Sequence, residues 1–343
     1  MKVAIIGLPQ SGKTTLFEAL SGGQMIKEKG GLTVATVAVP DPRVDTLAKM
    51  FAKERRVYPT LELVEARVRG KKMKGGLDPA TLNTVRPADA FIVVVRAFDG
   101  GQPREELTKV MVDLIVSDLA TVENRLQRLE ADKKKGKEVS KEELEALYQA
   151  KTALEGERLL FMEEGPIAKR LGHLSLLTAK PMTVVANIGE DMLGKKENEV
   201  VASLSLPAYG LETHAVCARV EKEIVELDEN EQETFRKFYG LEKSLLERVM
   251  KSLLRALDLI CFLTVGEHEV RSWLIPKGTS AVKAAGCVHS DMEKGFIRAE
   301  VIPYNEIVAL GSEGEARRQG RMRLEGKDYV VNDGDIIKFR FNV

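Results

Sequence analysis

The opening stretch constrains this chain more than any other. Lys2 to Ile6 reads KVAII, a short apolar run; Gly7-Leu-Pro-Gln-Ser-Gly-Lys13-Thr14 follows and satisfies G-x-x-x-x-G-K-[ST], and Thr15-Leu-Phe-Glu-Ala-Leu20 continues at helical spacing. Strand, glycine loop and helix occur in the order that phosphate binding requires. The loop's backbone N–H groups, contributed by Pro9 to Thr15 apart from the proline itself, wrap an anion while the positive end of the next helix faces it. Pro9, Gln10, Ser11, Gly12, Lys13, Thr14 and Thr15 are therefore candidate nucleotide-binding residues. Lys13 and Thr14 are the candidates for catalysis: the ammonium would lie against the β- and γ-phosphates, and the hydroxyl would join the shell of a bridging Mg²⁺.

At 343 residues the chain exceeds one typical core, so two or three domains are expected. The 52 Lys and Arg balance the 52 Asp and Glu, so no net field draws the molecule to nucleic acid or membrane, and any such partner must meet a local patch. Cys217, Cys261 and Cys287 are widely spaced and form no C-x-x-C, which argues against a disulfide framework or a zinc site and suits a reducing compartment. The N-terminus enters a strand at once, and the most apolar long stretch, Leu253 to Val265, is broken by Arg255 and Asp258. A soluble cytoplasmic protein with no membrane partner is expected; composition says nothing of oligomeric state.

Apolar runs at Leu32–Val39, Leu61–Val64, Phe91–Val95, Pro181–Asn187 and Thr213–Cys217 alternate with helical spacing, which predicts a mostly parallel α/β sheet with ligands at the carboxyl ends of its strands. From Pro103 the texture becomes long charged helix. Leu119, Val122, Leu126 and Leu129 form one stripe and Leu144, Leu147 and Leu154 another, with Ser140 and Glu143 as a capping box between them. An antiparallel helical hairpin results, its tip at Lys133 to Lys137 being either a solvated turn or a phosphate-contacting finger. Beyond Leu259, short β-like runs between glycine turns predict a small α+β domain, with twelve basic and twelve acidic residues from Cys261 to Val343. The expected division is a nucleotide-binding domain at 1–102 and 164–260, the hairpin at 103–163, and the α+β domain at 261–343.

The stretches Gly7–Leu20, Val37-Ala-Val-Pro-Asp-Pro-Arg43, Leu176-Leu-Thr-Ala-Lys-Pro181, Val288–Glu300, Leu324–Tyr329 and Asp333-Gly-Asp335 together resemble the YchF proteins, or Obg-like ATPases, a branch of the P-loop GTPases. The resemblance implies a Ras-like P-loop domain interrupted by the helical hairpin and followed by a β-grasp-like TGS domain. It implies Mg²⁺-dependent binding and slow hydrolysis of ATP or GTP, with the ribosome or its RNA as partner. Where a GTPase reads guanine with Asn-Lys-x-Asp, this chain has Asn187-Ile-Gly-Glu190, similar to the family's Asn-x-x-Glu, which makes Asn187 and Glu190 candidates for base recognition. Cys217-Ala-Arg219 resembles the third base-side loop.

Two places depart from the family pattern. The second switch should begin Asp-x-x-Gly; here Glu65 stands in for the carboxylate, as a second metal candidate beside Thr14, and Val68 occupies the glycine position. The segment after it, Arg67 to Lys74, holds five cations in eight residues and reads as a solvated segment or an RNA contact. The first switch is short, with Thr33 as a weak substitute for the usual threonine. An NTPase and a non-hydrolysing nucleotide-binding scaffold that docks on RNA both fit this pattern. His289 has no nucleophile or metal-spaced partner in sequence and reads as structural.

Overall fold

The computed structural model describes residues 1–22, 27–29, 31–66, 76–163, 167–194, 197–204, 209–241 and 244–342. Val68 and the basic stretch Arg67 to Lys74 lie outside the described residues, as does part of the first-switch loop. The strands are β1 (Lys2–Ile6), β2 (Lys27–Lys29), β3 (Leu32–Ala38), β4 (Arg55–Val57), β5 (Thr60–Ala66), β6 (Ala90–Ala97), β7 (Met182–Ile188), β8 (Thr213–Val216), β9 (Leu259–Val265), β10 (Glu269–Pro276), β11 (Phe296–Pro303), β12 (Arg323–Glu325) and β13 (Asp335–Phe341). The helices are α1 (Lys13–Ser21), α2 (Pro42–Met50), α3 (Pro79–Val85), α4 (Pro103–Lys134), α5 (Lys141–Glu155), α6 (Ile167–Arg170), α7 (Glu197–Ser203), α8 (Ala218–Val225), α9 (Glu229–Phe238), α10 (Leu245–Ala256), α11 (Ala281–Val288), α12 (Ser290–Lys294), α13 (Tyr304–Leu310) and α14 (Glu313–Arg318). They form two units: Met1–Val37 with Leu61–Leu253, and Ala38–Thr60 with Leu254–Val343.

The first unit is built on a sheet of order β2-β3-β5-β1-β6-β7-β8. β1 runs parallel to β5 and β6, with Val3 opposite Leu63 and Ala90, and β6, β7 and β8 continue the parallel set. Because helices cover such a sheet, its central strands are apolar on both sides: Val3 to Ile6 and Ala90 to Val95 are all at most 2% exposed. The carboxyl ends of β1, β6, β7 and β8 therefore deliver their following loops to one edge, the position at which open α/β sheets bind ligands.

The hairpin packs through the expected stripe: Val122, Leu126 and Leu129 of α4 and Leu147 and Leu154 of α5 are buried, Leu119 and Leu144 are half-buried, and Leu107, Val110, Met111, Leu114, Ala146 and Ala150 extend the buried face. The capping box is half formed. Ser140 accepts from the Glu143 N–H, but the Glu143 carboxylate turns away to accept from Arg125 Nε at 2.8 Å, since a cation on the facing helix outbids a backbone amide already open to water. Asp118 of α4, fully buried, accepts from the N–H groups of Leu177 and Thr178, the Thr178 hydroxyl and Arg86, so its charge is compensated on every side. Lys180 donates to the carbonyls of Arg86 and Ala88. These bonds explain the Leu176–Pro181 stretch as a tether between the base of the hairpin and the sheet.

In the second unit the sheet order is β12-β11-β13-β9-β10-β4. β4 is supplied by the stretch Ala38–Thr60 and runs parallel to β10, Arg55 opposite Glu269. The same stretch contributes α2, whose N-cap Asp41 accepts from Arg43 and from Ser272, while Arg43 reaches across to Asp333 at 2.9 Å. Phe262, Trp273, Phe296 and Phe339 form the aromatic part of the core. His289 serves structurally: its Nδ1 accepts from the Asp291 N–H and caps α12.

Candidate nucleotide site

The phosphate loop follows from close packing of its glycines. A Cβ at Gly7 would lie 2.2 Å from the Val94 carbonyl oxygen of β6, and one at Gly12, where φ is +90°, would lie 2.0 Å from Asn187 Nδ2. Only glycine lets the chain pass both neighbours. α1 then starts without a side-chain cap and without an acidic residue in its first turn, so its leading N–H groups keep their capacity for an anion. Lys13 Nζ donates to the Leu8 carbonyl at 2.7 Å, folding the side chain back over the loop. Burial pushes its pKa below the ordinary lysine value, against the opposing pull of the Glu65 and Glu106 carboxylates. The Thr14 hydroxyl donates to Glu65 Oε1 at 2.7 Å, which brings the two sequence-predicted metal candidates side by side. The Ser11 hydroxyl is fully buried and has no hydrogen-bond partner among the described residues, a polar group that a phosphate oxygen could satisfy.

Beside the loop lies a cleft of about 810 Å³ lined by Gly12, Thr15, Phe98, Asp99, residues 187–191, Cys217, Arg219 and Tyr239. Asn187, at the end of β7, is 6% exposed and both ends of its amide are engaged: Nδ2 donates to the Ser11 carbonyl and Oδ1 accepts from the Ala218 N–H, each at 3.1 Å. It clamps the phosphate loop to the start of α8. Glu190 is placed differently, with its carboxylate in the cleft and Oε1 accepting from the Tyr239 hydroxyl at 2.9 Å. That bond raises the Tyr239 pKa, so the phenol stays a donor. Cys217 caps α8, and burial pushes its thiol above the ordinary value, leaving a neutral wall.

The chain is 36% identical to the ribosome-binding ATPase YchF of Bacillus subtilis over 368 residues, covering all of both chains, and 35% identical to the protein of that name from Escherichia coli O157:H7, covering all of this chain and 99% of the other. The chain belongs to the YchF family. The sequence model of the YchF GTPase C-terminal region, described as a protein of unknown function (DUF933), matches residues 259–342. The solved structure of the Schizosaccharomyces pombe YchF GTPase superposes with a TM-score of 0.85 at 28% identity, covering 99% of this chain and 97% of that one. The YchF architecture read from the sequence, a Ras-like P-loop domain with an inserted helical hairpin and a β-grasp-like C-terminal domain, is thus the fold of this chain.

Against that YchF frame, Gly12 and Thr15 of the phosphate loop, Asn187, Glu190 and Cys217 all line the cleft. Pro9 and Gln10 sit exposed at the loop's tip, Gln10 at a φ of +67°. Thr33 is buried on β3 and does not line the cleft. Phe98, Asp99 and Tyr239 escaped sequence reasoning. Phe98 and Asp99 directly follow β6, and a strand's carboxyl end was signal enough to have found them. Tyr239 ends a helix far along the chain and carries no local mark. No helix among the described residues is long and apolar enough to cross a membrane.

Proposed function

We propose that this protein binds a purine nucleoside triphosphate at Gly7 to Thr15, with the base in the cleft at Glu190, and hydrolyses it slowly with Mg²⁺. The observation that carries the reading is the meeting of Lys13, Thr14 and Glu65 at the start of an uncapped helix. Thr14 and Glu65 offer two adjacent hard oxygen donors, the donor type Mg²⁺ prefers, and the phosphates and water complete such a shell. The ion, when bound, neutralises phosphate charge. The chain's own residues do the rest. Lys13 exchanges the Leu8 carbonyl for phosphate oxygens, the loop amides orient the anion, and Asn187 keeps the loop in register with the base side.

The relatives named as ribosome-binding ATPases support ATP as the nucleotide and the ribosome as the partner. Residues 103–163 and 261–343 are the proposed contact regions, and 1–102 with 164–260 the proposed nucleotide domain, apart from Ala38–Thr60 and Leu254–Ile260, which pack in the second unit. Titration of nucleotide-free protein with ATP, GTP and their diphosphates, with and without Mg²⁺, followed by phosphate release, tests the reading. Mg²⁺-dependent binding with release that is lost in Lys13→Ala is the expected result. Binding without release, equal for di- and triphosphate, makes the protein a non-hydrolysing scaffold.

A further inference from the structure

We propose that Tyr239 sets the base preference of the cleft as a positioning residue, by occupying one oxygen of Glu190. The inference rests on the reading above that Glu190 faces the base. The Tyr239 hydroxyl donates to Glu190 Oε1 at 2.9 Å, and both side chains line the cleft. The backbone of Tyr239 is held in place. This residue is the C-cap of α9, its N–H bonded to the Phe235 carbonyl at 3.1 Å, and α9 is fixed at its other end by a full capping box of Asp228 and Glu231. Its ring meets Phe238 edge-on at 5.1 Å.

The consequence follows from the hydrogen-bonding edges of the two purines. Guanine presents two adjacent donors, N1–H and the 2-amino group, which a carboxylate grips best with both oxygens. Adenine presents a single exocyclic amine. With Oε1 already accepting from Tyr239, Glu190 keeps one oxygen fully open and one partly engaged, which serves a single donor fully and a paired one less well. The two-donor edge must share Oε1 with the phenol or displace it, and either way it gives up part of the two-oxygen grip. Tyr239 thereby converts a carboxylate that could accept guanine into one that favours adenine. It touches neither the phosphate loop nor the metal candidates, so the effect falls on base identity and not on phosphate affinity.

The experiment is calorimetric titration of the full-length protein and of Tyr239→Phe with ATP and GTP, with Glu190→Gln as companion. In Tyr239→Phe the ratio of ATP to GTP affinity should fall by about tenfold, mainly through tighter GTP binding. An unchanged ratio, or equal weakening of both nucleotides, overturns the proposal. If Glu190→Gln shifts the ratio and Tyr239→Phe does not, Tyr239 alone is wrong; if neither shifts it, the assignment of Glu190 to the base falls. Should Tyr239→Phe not fold, the unaltered protein still decides. Inosine triphosphate keeps N1–H but lacks the 2-amino group, so it should bind more tightly than GTP, and equal affinity for the two overturns the proposal.

Discussion

The two ends of the cleft are built by different means. The proposed phosphate end is a contiguous run, Gly7 to Thr15, which offers backbone amides and an uncapped helix start. The proposed base end is assembled from Phe98–Asp99, residues 187–191, Cys217–Arg219 and Tyr239, four segments that meet because β6, β7 and β8 lie side by side and the C-terminal end of α9 reaches the same cleft. Binding by backbone needs a local conformation, so it leaves a motif in the sequence. Selection by side chains needs only proximity, and several sequences can supply it.

The largest test of this contrast is Lys13→Ala. It removes the cation at the phosphate end and should weaken ATP and GTP alike by more than about a hundredfold, the loss expected when a buried charge partner is deleted. Titration of both nucleotides checks it; a selective loss of one would mean that the two ends are not separate. Asn187→Ala comes next, because Asn187 is where the ends join. Its removal leaves the Ser11 carbonyl and the Ala218 N–H without their partner. Each such group costs about 1–3 kcal/mol, so the expected outcome is a lower melting temperature together with weaker binding of both nucleotides. Loss of ATP preference without loss of stability would show that Asn187 reads the base directly. Smaller again is Phe98→Ala, confined to the base end. Phe98 lies under the Arg96 guanidinium, 5.3 Å from its ring centre, and if its ring also supports the base, truncation should cost about 1–2 kcal/mol of binding for adenine and guanine nucleotides equally. Hydrolysis per bound nucleotide, measured at saturation, should stay unchanged.

The same distinction between local and distant information explains what the sequence revealed of the rest. The P-loop, the hairpin and the short strands after Leu259 were legible because each is a pattern within a few dozen residues. The fate of Ala38–Thr60 was not. Nothing near Arg55 announces that it will pair with Glu269, or near Arg43 that it will bridge Asp41 and Asp333. Apolar periodicity marks Val44 and Leu47 as buried but not against which core, and that core includes Leu263, Val270 and Ile302. The Ser140 and Glu143 pair formed only by half for a related reason: Ser140 caps the helix as the pattern predicts, but the Glu143 side chain was claimed by Arg125 on the neighbouring helix.

The smallest predicted effect is one of pH, and it separates the ends without changing the base side. Burial holds the Lys13 pKa below the ordinary value of about 10.4, with Glu65 and Glu106 limiting the drop. Phosphate favours the protonated amine, so bound nucleotide raises that pKa again. Between the free and bound values, binding must take up a proton, and affinity should fall as pH rises, by at most about tenfold per pH unit. Folding moves the other way. The unfolded chain holds the Lys13 proton more tightly than the native protein does, so over the alkaline range between the lowered and the ordinary pKa this residue makes stability rise with pH. Lys13→Arg keeps a cation that does not titrate there and should flatten its share of both curves. Because the proton belongs to the phosphate end, the ratio of ATP to GTP affinity should stay constant while both affinities decline, and a ratio that drifts with them would place Lys13 in electrical contact with the base and join the two halves of the cleft into one.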